Sequence, residues 1–296
     1  MIKILKAFLV ILLAIIMIGM IVLFWYYPHY VSHKQPVQAA IQQELRIMSC
    51  NLRCLSPLDL GHKSWFYRAD LIMEEIQTQA PSIIGFQEST QWQYRYLVDT
   101  MPQYDSVITY RDDSIIAEGC PIFYQKDRFT LVDRGSFWLS ETPDVMSRDW
   151  GAAHYRICSY VILTDHTSGK DFVVFNTHLD HVSDEARIKG IQVVLSKIEE
   201  FGSLPAVIMG DLNAEEDSET YESVTHFFLD ARYAAPETMD CGTYQNWGQL
   251  EKGRRIDYFM VSPGGFRINR YAVLNQRHGG IFISDHFPIV LDLVIE

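Results

Sequence analysis

The sequence has no excess of basic residues and no low-complexity segment, and each absence excludes a class of protein. Its 25 Lys and Arg residues stand against 37 Asp and Glu residues, which gives a formal net charge of −12. A surface of this charge binds nucleic-acid phosphates or anionic lipid poorly by electrostatics alone. A composition of 48% hydrophobic and 21% charged residues excludes a disordered chain and is typical of a packed globular protein.

Cysteine is also scarce, and its spacing predicts neither a zinc site nor a disulfide framework. The five cysteines form no CxxC pair, and their odd number leaves at least one of them unpaired. Several lie in apolar, strand-like runs, where a small buried thiol is the ordinary interpretation. The residues are Cys50, Cys54, Cys120, Cys158 and Cys241.

One long stretch near the N-terminus carries no charge. Residues 7–27 read AFLVILLAIIMIGMIVLFWYY, and about 20 apolar residues in a helix are enough to cross a bilayer. Lys3 and Lys6 precede the stretch, and the aromatic residues 25–27 close it. Because lysines favour the cytoplasmic side, the sequence predicts a cytoplasmic tail (1–6), a single-pass transmembrane signal anchor (7–27) and an extracytoplasmic remainder.

A cleaved signal peptide followed by secretion is the alternative for this region. The segment 37–39 (VQA) loosely resembles a cleavage site, but it lies ten residues beyond an apolar run that is long for a signal peptide. An uncleaved anchor is therefore the favoured interpretation, with residues 28–44 as a linker. Without the three lysines and one glutamate of residues 1–44, the remainder has 22 basic and 36 acidic residues, a formal charge of −14.

Residues 45–296 are predicted to form one domain, because no repeat or Pro/Gly-rich linker divides them. Short runs rich in β-branched and aromatic residues predict strands. The predicted strands are Leu45–Asn51, Ser82–Gln87, Tyr104–Tyr110, Pro121–Gln125, Arg156–Thr164, Phe172–Thr177, Pro205–Met209, Ile256–Val261 and Ile289–Ile295. Amphipathic patterns predict helices over about Trp65–Gln79, Thr90–Met101 and Asp184–Phe201. This mixture favours β-sheets with helices outside them.

Polar residues gather where the predicted strands end. The segments are Ser49–Asn51, Gly85–Glu88, Asn176–Asp180, Met209–Asn213 and Ser284–Pro288, and Asp257 adds a carboxylate within a strand. The alternation of side chains along a strand would place Asn176 with His178, and Asp211 with Asn213. A buried acid is costly unless it binds a metal or pairs with a cation, so the pattern predicts an oxygen-ligand site for a hard cation.

Each of these residues has an ordinary structural alternative when taken alone. Glu88 could be a solvated cap, the Asp211–Asn213 segment a turn, and His178 a satisfied core imidazole. Asp257 could pair with one of the two arginines just before it in the chain. Independent turns, however, have no reason to recur in this order at strand ends. The joint pattern therefore favours a functional site.

In that order the segments resemble the endonuclease/exonuclease/phosphatase superfamily, the metal-dependent phosphoesterases related to DNase I. The resemblance extends from about Leu45 to Glu296, and its motifs are MSCNL, FQES, FNTHLD, IMGDLN, RIDYFMV and SDHFPIV. It implies a four-layer α/β sandwich, in which two packed mixed β-sheets are flanked by helices. The N-terminal transmembrane helix would precede this domain.

The resemblance also implies a Mg²⁺ site, with Mn²⁺ as a possible substitute. Glu88 would be the principal metal ligand, Asn51 would lie beside it, and Asp285 would close the site. Arg111 and Arg156 are weaker candidates for binding a substrate phosphate, since a guanidinium fits phosphate oxygens. The structural alternative for these arginines is pairing with nearby acids, which are Asp112, Asp113 and Glu118.

The implied catalytic residues are His178, Asp211, Asn213, Asp257 and His286. Asp211 would orient or deprotonate the attacking water, and Asn213 would donate a hydrogen bond to the phosphoryl oxygens. His286 would contact the phosphate, with Asp257 fixing its tautomer. His178 would lie near the leaving group.

Several residues near the motifs are expected to have structural roles. Packing is the favoured role of Trp138, Trp150 and the segment Ser136–Val145, although they could line a specificity loop. His154 and His181 are expected to be solvated or to make ordinary hydrogen bonds.

The sequence therefore predicts a membrane-anchored, Mg²⁺-dependent phosphoesterase that hydrolyses phosphodiester bonds, with a nuclease-type substrate slightly favoured. Its partners would be a phosphate-ester substrate (nucleic acid, nucleotide or lipid head group) and the membrane, with no obligate protein partner evident. The alternatives are a phospholipid or sphingomyelin hydrolase and an inositol or sugar phosphate hydrolase. An alternative of another class is a tethered binding protein that has lost catalysis.

Overall fold

The computed structural model describes residues 2–32 and 44–296, with side chains described for residues 3–22 and 44–296. The first helix, α1 (Ile2–Ser32), contains the 20-residue segment Lys3–Val22 with a mean hydropathy of 2.9. By length and composition this segment could cross a membrane or act as a signal sequence. The helix continues beyond the predicted anchor to Ser32. The side chains of residues 25–27 and the segment 37–39 lie outside the described residues.

The remainder of the described chain alternates short strands with five further helices. The strands are β1 (Leu45–Asn51), β2 (Ile83–Gln87), β3 (Ser89–Thr90), β4 (Tyr104–Val107), β5 (Glu118–Gly119), β6 (Ile122–Gln125), β7 (Phe129–Trp138), β8 (Ile157–Asp165), β9 (Lys170–His178), β10 (Ala206–Asp211), β11 (Leu229–Asp230), β12 (Asp257–Val261), β13 (Phe266–Val273) and β14 (Ile289–Ile295). The helices are α2 (Trp65–Gln79), α3 (Gln91–Thr100), α4 (Asp184–Glu199), α5 (Glu219–Thr225) and α6 (Ala231–Ala234), and a 3₁₀ turn spans Gly61–Lys63.

The strands form two six-stranded mixed sheets and one two-stranded ribbon. The first sheet has the order β13-β14-β1-β2-β6-β4, the second has the order β11-β12-β10-β9-β8-β7, and β3 pairs with β5. Each large sheet contains one parallel pair, β1 with β2 and β9 with β10. In these pairs Asn51 lies opposite Gln87, and Asp211 lies opposite His178. The polar strand ends therefore meet at one edge of the sandwich.

Three layers of buried apolar side chains hold the domain together. The largest lies between the two sheets and includes Ile47, Val174, Val207 and Leu291. A second layer packs α2 and α3 on the outer face of the first sheet, and a third packs α4 and α5 on the outer face of the second. This arrangement confirms the predicted four-layer α/β sandwich.

A buried amide pair crosses the space between the sheets just below the polar edge. Asn176 donates from Nδ2 to the carbonyls of Phe86 (2.8 Å) and Pro121 (2.9 Å). Its Oδ1 accepts a hydrogen bond of 2.6 Å from Gln87 Nε2. The sheets come so close here that a Cβ on Gly85 would lie 2.9 Å from the Asn176 side chain. Asn176 therefore joins the two sheets.

The predictions were most accurate where the apolar pattern was strong, as in β1, α2 and β14, whose bounds match. The strand predicted over Tyr104–Tyr110 ends at Val107. Strands β7 and β13 were not predicted. Each is an edge strand with several exposed or half-buried positions, so polar residues interrupt its apolar pattern. All five cysteines are free, and Cys50, Cys120 and Cys158 are buried.

Gly210 allows the first prediction. Its φ is +135°, and an added Cβ would lie 1.9 Å from the carbonyl oxygen of Thr177 in the neighbouring strand. Because neither backbone can move away within the sheet, Gly210→Ala is expected to lower the free energy of unfolding by about 3 kcal/mol or more. Urea unfolding followed by tryptophan fluorescence measures this change.

The matched control is Gly169→Ala, in the turn between β8 and β9. Gly169 also has a left-handed φ, +70°, but an added Cβ would meet nothing within 4 Å. Only the backbone strain remains, which costs about 1 kcal/mol. Equal losses in the two variants would show that the close approach to Thr177 is unimportant.

Candidate active site

A cavity of about 440 Å³ opens at the edge where β1, β2, β9 and β10 end. Eight of the ten residues predicted to form the site line this cavity: Glu88, Arg111, Arg156, His178, Asp211, Asn213, Asp285 and His286. The other two, Asn51 and Asp257, are buried and contact the lining residues from behind. The dispersed segments therefore converge on one site.

Asn51 links carboxylates that come from different sheets. Its Nδ2 donates to Glu88 Oε1 and to Asp211 Oδ2, each at 3.1 Å. Its Oδ1 accepts a hydrogen bond of 2.9 Å from the backbone N–H of Arg53. Glu88 follows β2 in the first sheet, and Asp211 ends β10 in the second. The amide thus fixes the two acids relative to each other.

Glu88 is held as an ionised carboxylate at the start of the turn after β2. Its φ is +57°, and its Oε2 accepts a hydrogen bond of 2.8 Å from the backbone N–H of Cys54. Burial raises the pKa of Glu88, but the N–H of Cys54 and the charge of His286 outweigh burial and leave this pKa below its ordinary value. An ionised, rigidly held carboxylate is suited to bind a cation.

Asp285 is a second carboxylate that lines the same cavity, and it is buried. It is 7% exposed, and among the described residues its side chain accepts a hydrogen bond only from Ser284 Oγ, at 3.2 Å. Burial raises the pKa of Asp285, the charge of Glu88 adds to this effect, and His286 opposes it. Glu88, which is half-buried, and Asp285 share a cavity, and neither has a basic partner within ion-pair distance in the part of the chain that the structure describes, so the two acids fit a site for a divalent cation.

His286 lies between two further acids. Its Nδ1 is 2.9 Å from Asp257 Oδ2, its Nε2 is 3.8 Å from Asp211 Oδ2, and its ring centroid is 4.9 Å from that of Tyr244.

The two arginines before Asp257 pair elsewhere, Arg254 with Glu215 and Arg255 with Asp230. The arginine pairing considered for Asp257 is therefore wrong.

His286, Asp257 and Asp211 form the tightest acid–imidazole group in the site. Within the parts of the chain that the structure describes, Asp211, Asp257 and His286 are the one His/Cys/Asp/Glu trio whose ligand atoms all lie within 4.8 Å of one another. Burial lowers the pKa of His286, but Asp257 and Asp211 outweigh it and raise this pKa to about 10. His286 is therefore a charged donor at neutral pH.

His178 and Asp211 form a second pair, with His178 Nε2 3.4 Å from Asp211 Oδ2. Burial, together with the nearby charge of Arg156, lowers the pKa of His178 well below its ordinary value. Burial and the charge of Asp257 raise the pKa of Asp211 to about 7. A neutral imidazole thus lies beside a carboxylate that can exchange a proton near neutral pH.

Asn213 reaches the cavity by a different route from the predicted one. Strand β10 ends at Asp211, so strand alternation does not place Asn213 beside it. Instead Asn213 adopts a left-handed φ of +48°, and its N–H donates to Asp211 Oδ1 at 2.9 Å. Its Nδ2 donates to the carbonyl of Leu179 at 3.1 Å. A tight Asx turn, not the strand, directs this side chain.

Two arginines line the other side of the cavity, and both are already paired. Arg111 makes a bidentate pair with Glu118, at 2.8 and 2.9 Å. Arg156 is 3.5 Å from Asp180 and 3.0 Å from His181 Nδ1. The structural alternative considered for Arg111, pairing with a nearby acid, therefore holds for Glu118, yet Arg111 still lines the cavity. Pairing and substrate contact are therefore compatible here.

The cavity also contains residues to which the sequence analysis gave no functional role. They are Arg53, Cys54, Glu118, His154, His181, Tyr244, Arg254 and Ile256. His154 and His181 are exposed, as expected, but their rings stack at 5.5 Å at the cavity wall. The sequence signal that could have revealed His181 is its position directly after the FNTHLD motif. Trp138 and Trp150 do not line this cavity.

Comparison with known proteins agrees with this geometry. The sequence model of the Endonuclease/Exonuclease/phosphatase family matches residues 48–286. The chain belongs to this family. Its members are hydrolases that act on phosphoester bonds and generally depend on divalent metals.

Solved structures and curated relatives of the family differ in what they act on. The chain is similar to an endonuclease/exonuclease/phosphatase from Bacteroides vulgatus, with a TM-score of 0.81 and 32% identity over 86% of this chain and all of that one. It is equally similar to a mannosyl-6-phosphatase from Bacteroides thetaiotaomicron, with a TM-score of 0.80 and 32% identity over 85% of this chain and all of that one. The 3′-5′-exoribonuclease subunit Ccr4 of Kluyveromyces lactis is 24% identical over 77% of this chain, which spans only 37% of that protein.

The contact between His286 and Asp257 generates the second prediction. Replacing Asp257 by Asn removes the charge that favours the imidazolium, so the pKa of His286 should fall by roughly one unit or more. Titration of the His286 ring followed by NMR, on metal-free protein in EDTA, measures the shift. Asp171→Asn, in the exposed hairpin between β8 and β9, is the control and should leave the titration of His286 unchanged.

The same pair affects stability in a defined pH window. Because folding raises the pKa of His286 from its ordinary value near 6.5 to about 10, its contribution is full below pH 6.5 and is lost as the pH rises toward 10. The free energy of unfolding of Asp257→Asn should therefore fall less over this window than that of the unmodified protein. Parallel curves for the two proteins would contradict the assigned role of Asp257.

Proposed function

We propose that this protein is a Mg²⁺-dependent phosphoesterase whose substrate is a small, polar phosphate monoester such as a sugar phosphate. The observation that carries the proposal is one cavity that combines two carboxylates, Glu88 and Asp285, which form no ion pair among the described residues, with arginine and histidine side chains. We also propose that the N-terminal helix anchors the chain in a membrane, with the catalytic domain on the extracytoplasmic side. The lysines before the apolar segment support this orientation.

Glu88 and Asp285 would hold the cation, and Asn51 would keep Glu88 in place. When bound, a divalent cation supplies positive charge at the phosphoryl oxygens and lowers the pKa of coordinated water. The two carboxylates fit this role because both face the cavity and neither has a basic partner within ion-pair distance among the described residues. Oxygen ligands of this kind suit Mg²⁺ or Mn²⁺.

The remaining residues would act on the water, the phosphate and the leaving group. Asp211 would accept the proton of the attacking water, since its pKa of about 7 matches neutral conditions. The charged His286 and the amide of Asn213 would donate hydrogen bonds to the phosphoryl oxygens. The neutral His178 would donate one to the leaving oxygen. Each preorganised donor of this kind is worth about 3 kcal/mol in the transition state.

The composition of the cavity supports a small polar substrate over a lipid or a nucleic acid. Ile256 is its one aliphatic lining residue, so the cavity offers no acyl-chain wall, and apart from Tyr244 and its imidazoles it has no ring on which a base could stack. The arginines and histidines offer hydrogen bonds to a phosphate and to hydroxyl groups. The similarity to the mannosyl-6-phosphatase also favours a sugar phosphate.

A phosphodiester is the second candidate, and it is the substrate that the sequence analysis slightly favoured. The similarity to the exoribonuclease Ccr4 supports it. The formal charge of −14 on residues 45–296 weighs against a long nucleic acid. A single-stranded end or a nucleotide would still fit a cavity of about 440 Å³.

The deciding experiment is a substrate panel for the purified full chain in detergent, with Mg²⁺, Mn²⁺ or EDTA. We expect phosphate release from mannose 6-phosphate and glucose 6-phosphate with Mg²⁺, and none with EDTA. RNA, single-stranded DNA and sphingomyelin should be hydrolysed far more slowly. If RNA is cleaved faster than the sugar phosphates are hydrolysed, the protein is a nuclease and the proposed monoester substrate is wrong. A folded protein that is inert toward every substrate would support a binding role.

Substitution of the proposed metal ligands gives the next prediction. Glu88→Gln and Asp285→Asn keep the shape of the side chains but remove a negative charge, so each should lower kcat/KM by more than about 100-fold. The matched control is Glu185→Gln, an exposed acid in the first turn of α4, which should keep normal activity. Unchanged turnover in a folded Glu88→Gln variant would refute the proposed site.

A further inference from the structure

Arg68 of α2 is a buried cation to which the proposed chemistry gives no role. It is fully buried, and it forms no ion pair with a carboxylate among the described residues. All its hydrogen bonds go to backbone carbonyls. A buried charge that forms no direct ion pair is costly, so its presence calls for a physical reason.

Two of the carbonyls that Arg68 contacts belong to the segments that carry Asn51 and the proposed metal ligand Asp285. Its Nη1 donates to Leu52 O at 2.8 Å and to Ile283 O at 2.7 Å. Leu52 directly follows Asn51, and Ile283 lies two residues before Asp285. These two segments are far apart in the sequence, and one nitrogen atom joins them.

The other N–H groups of the guanidinium also donate to backbone carbonyls. Nη2 donates to Arg53 O at 3.3 Å, and Nε donates to Lys63 O at 2.7 Å. The N–H of Arg53 in turn donates to the Oδ1 of Asn51. Arg68 therefore fixes the backbone on both sides of the residue that orients Asn51.

Two tryptophan rings complete the surroundings of this cation. The Arg68 Cζ is 5.3 Å from the ring centroid of Trp247 and 5.8 Å from that of Trp65. Trp247 lies in the loop before β12 and adopts a left-handed φ of +57°. The N–H of its neighbour Asn246 donates to Asp285 O at 3.1 Å. Trp247 thus connects Arg68 to the Asp285 segment by a second path.

We propose that Arg68 is a positioning residue of the cation site, which holds the backbone that carries Asn51 against the backbone that carries Asp285. The inference rests on the proposed function, because it assumes that a cation binds between Glu88 and Asp285. Carbonyl acceptors explain why an arginine is required. A planar guanidinium with five N–H groups can bridge several carbonyls, whereas an ammonium cannot span the same set.

The test measures Mn²⁺ affinity, because a residue that only stabilises the fold would leave it unchanged in folded protein. Arg68→Met removes the charge and the hydrogen bonds, and Arg68→Lys keeps only the charge. Both variants should raise the Kd for Mn²⁺ by about 10-fold or more, measured by isothermal titration calorimetry on the full chain. In the Mg²⁺-dependent assay kcat should fall more than KM rises.

Arg128→Lys is the matched control. Arg128 is also a buried arginine, but it pairs with Asp165 at 2.9 Å and donates to Ser82 and to the carbonyl of Glu44, at the other end of the first sheet. Arg128→Lys should lower the resistance to urea and leave the Mn²⁺ affinity unchanged. The comparison separates the general cost of losing a buried arginine from a specific effect on the cation site.

Several outcomes would overturn the proposal. The first is a folded Arg68→Met variant with unchanged Mn²⁺ affinity. The second is an Arg68→Lys variant with normal Mn²⁺ affinity when Arg68→Met binds Mn²⁺ more weakly, because the positive charge alone would then be sufficient. If neither variant folds, Trp247→Leu decides, because it removes only the ring over Arg68. It should raise the Kd for Mn²⁺ about threefold, and an unchanged Kd would reject the proposal.

The experiment also distinguishes failure of this inference from failure of the proposed function. The unmodified protein should bind Mn²⁺, and Glu88→Gln should not. If the unmodified protein binds none, the proposed metal site is wrong. If it binds and the Arg68 variants bind equally well, only the role of Arg68 is wrong.

Discussion

The hydrogen bonds from the amide of Asn51 to Glu88 and Asp211 are the contact on which the site depends. Glu88 belongs to one sheet and Asp211 to the other, so the amide joins acids that would otherwise repel each other across the gap. The distance between the sheets is in turn fixed by the apolar layer and by Asn176. The geometry of the site therefore depends on the packing of the sandwich. A change in the distance between the sheets would move Glu88 away from Asp211.

The electrostatics of the site follow from burying several acids with few cations. Burial and mutual repulsion raise the pKa of Asp211 and Asp285, whereas hydrogen bonding keeps Glu88 ionised. His286, as a positively charged imidazolium, neutralises part of the negative charge of these acids. The negative charge that remains on Glu88 and Asp285 is the physical reason to infer a divalent cation. Arg68 is a fixed positive charge near Asp285.

Much of the fold and most of the site could be predicted from the sequence, because strand ends with acids and amides are a local pattern. Helix α2 and strands β1 and β14 have strong apolar periodicity and were found with the same bounds. The edge strands β7 and β13 were missed, since solvent on one side permits polar residues that hide the pattern. Asn213 was correctly placed near Asp211, but the reason given, strand alternation, was wrong. A left-handed turn sets its position, and such a turn leaves no periodic pattern in the sequence.

The sequence by itself determined which chemical groups are available, namely carboxylates, amides and imidazoles at the ends of apolar strands, and an uncharged N-terminal segment long enough to cross a membrane. The tertiary structure alone decided which of these groups meet. It joined Glu88 to Asp211 through the amide of Asn51, and Arg68 to the carbonyls of two distant segments. The reason is physical: composition and periodicity act along the chain, whereas hydrogen bonds and charges act through space, across the gap between two packed sheets.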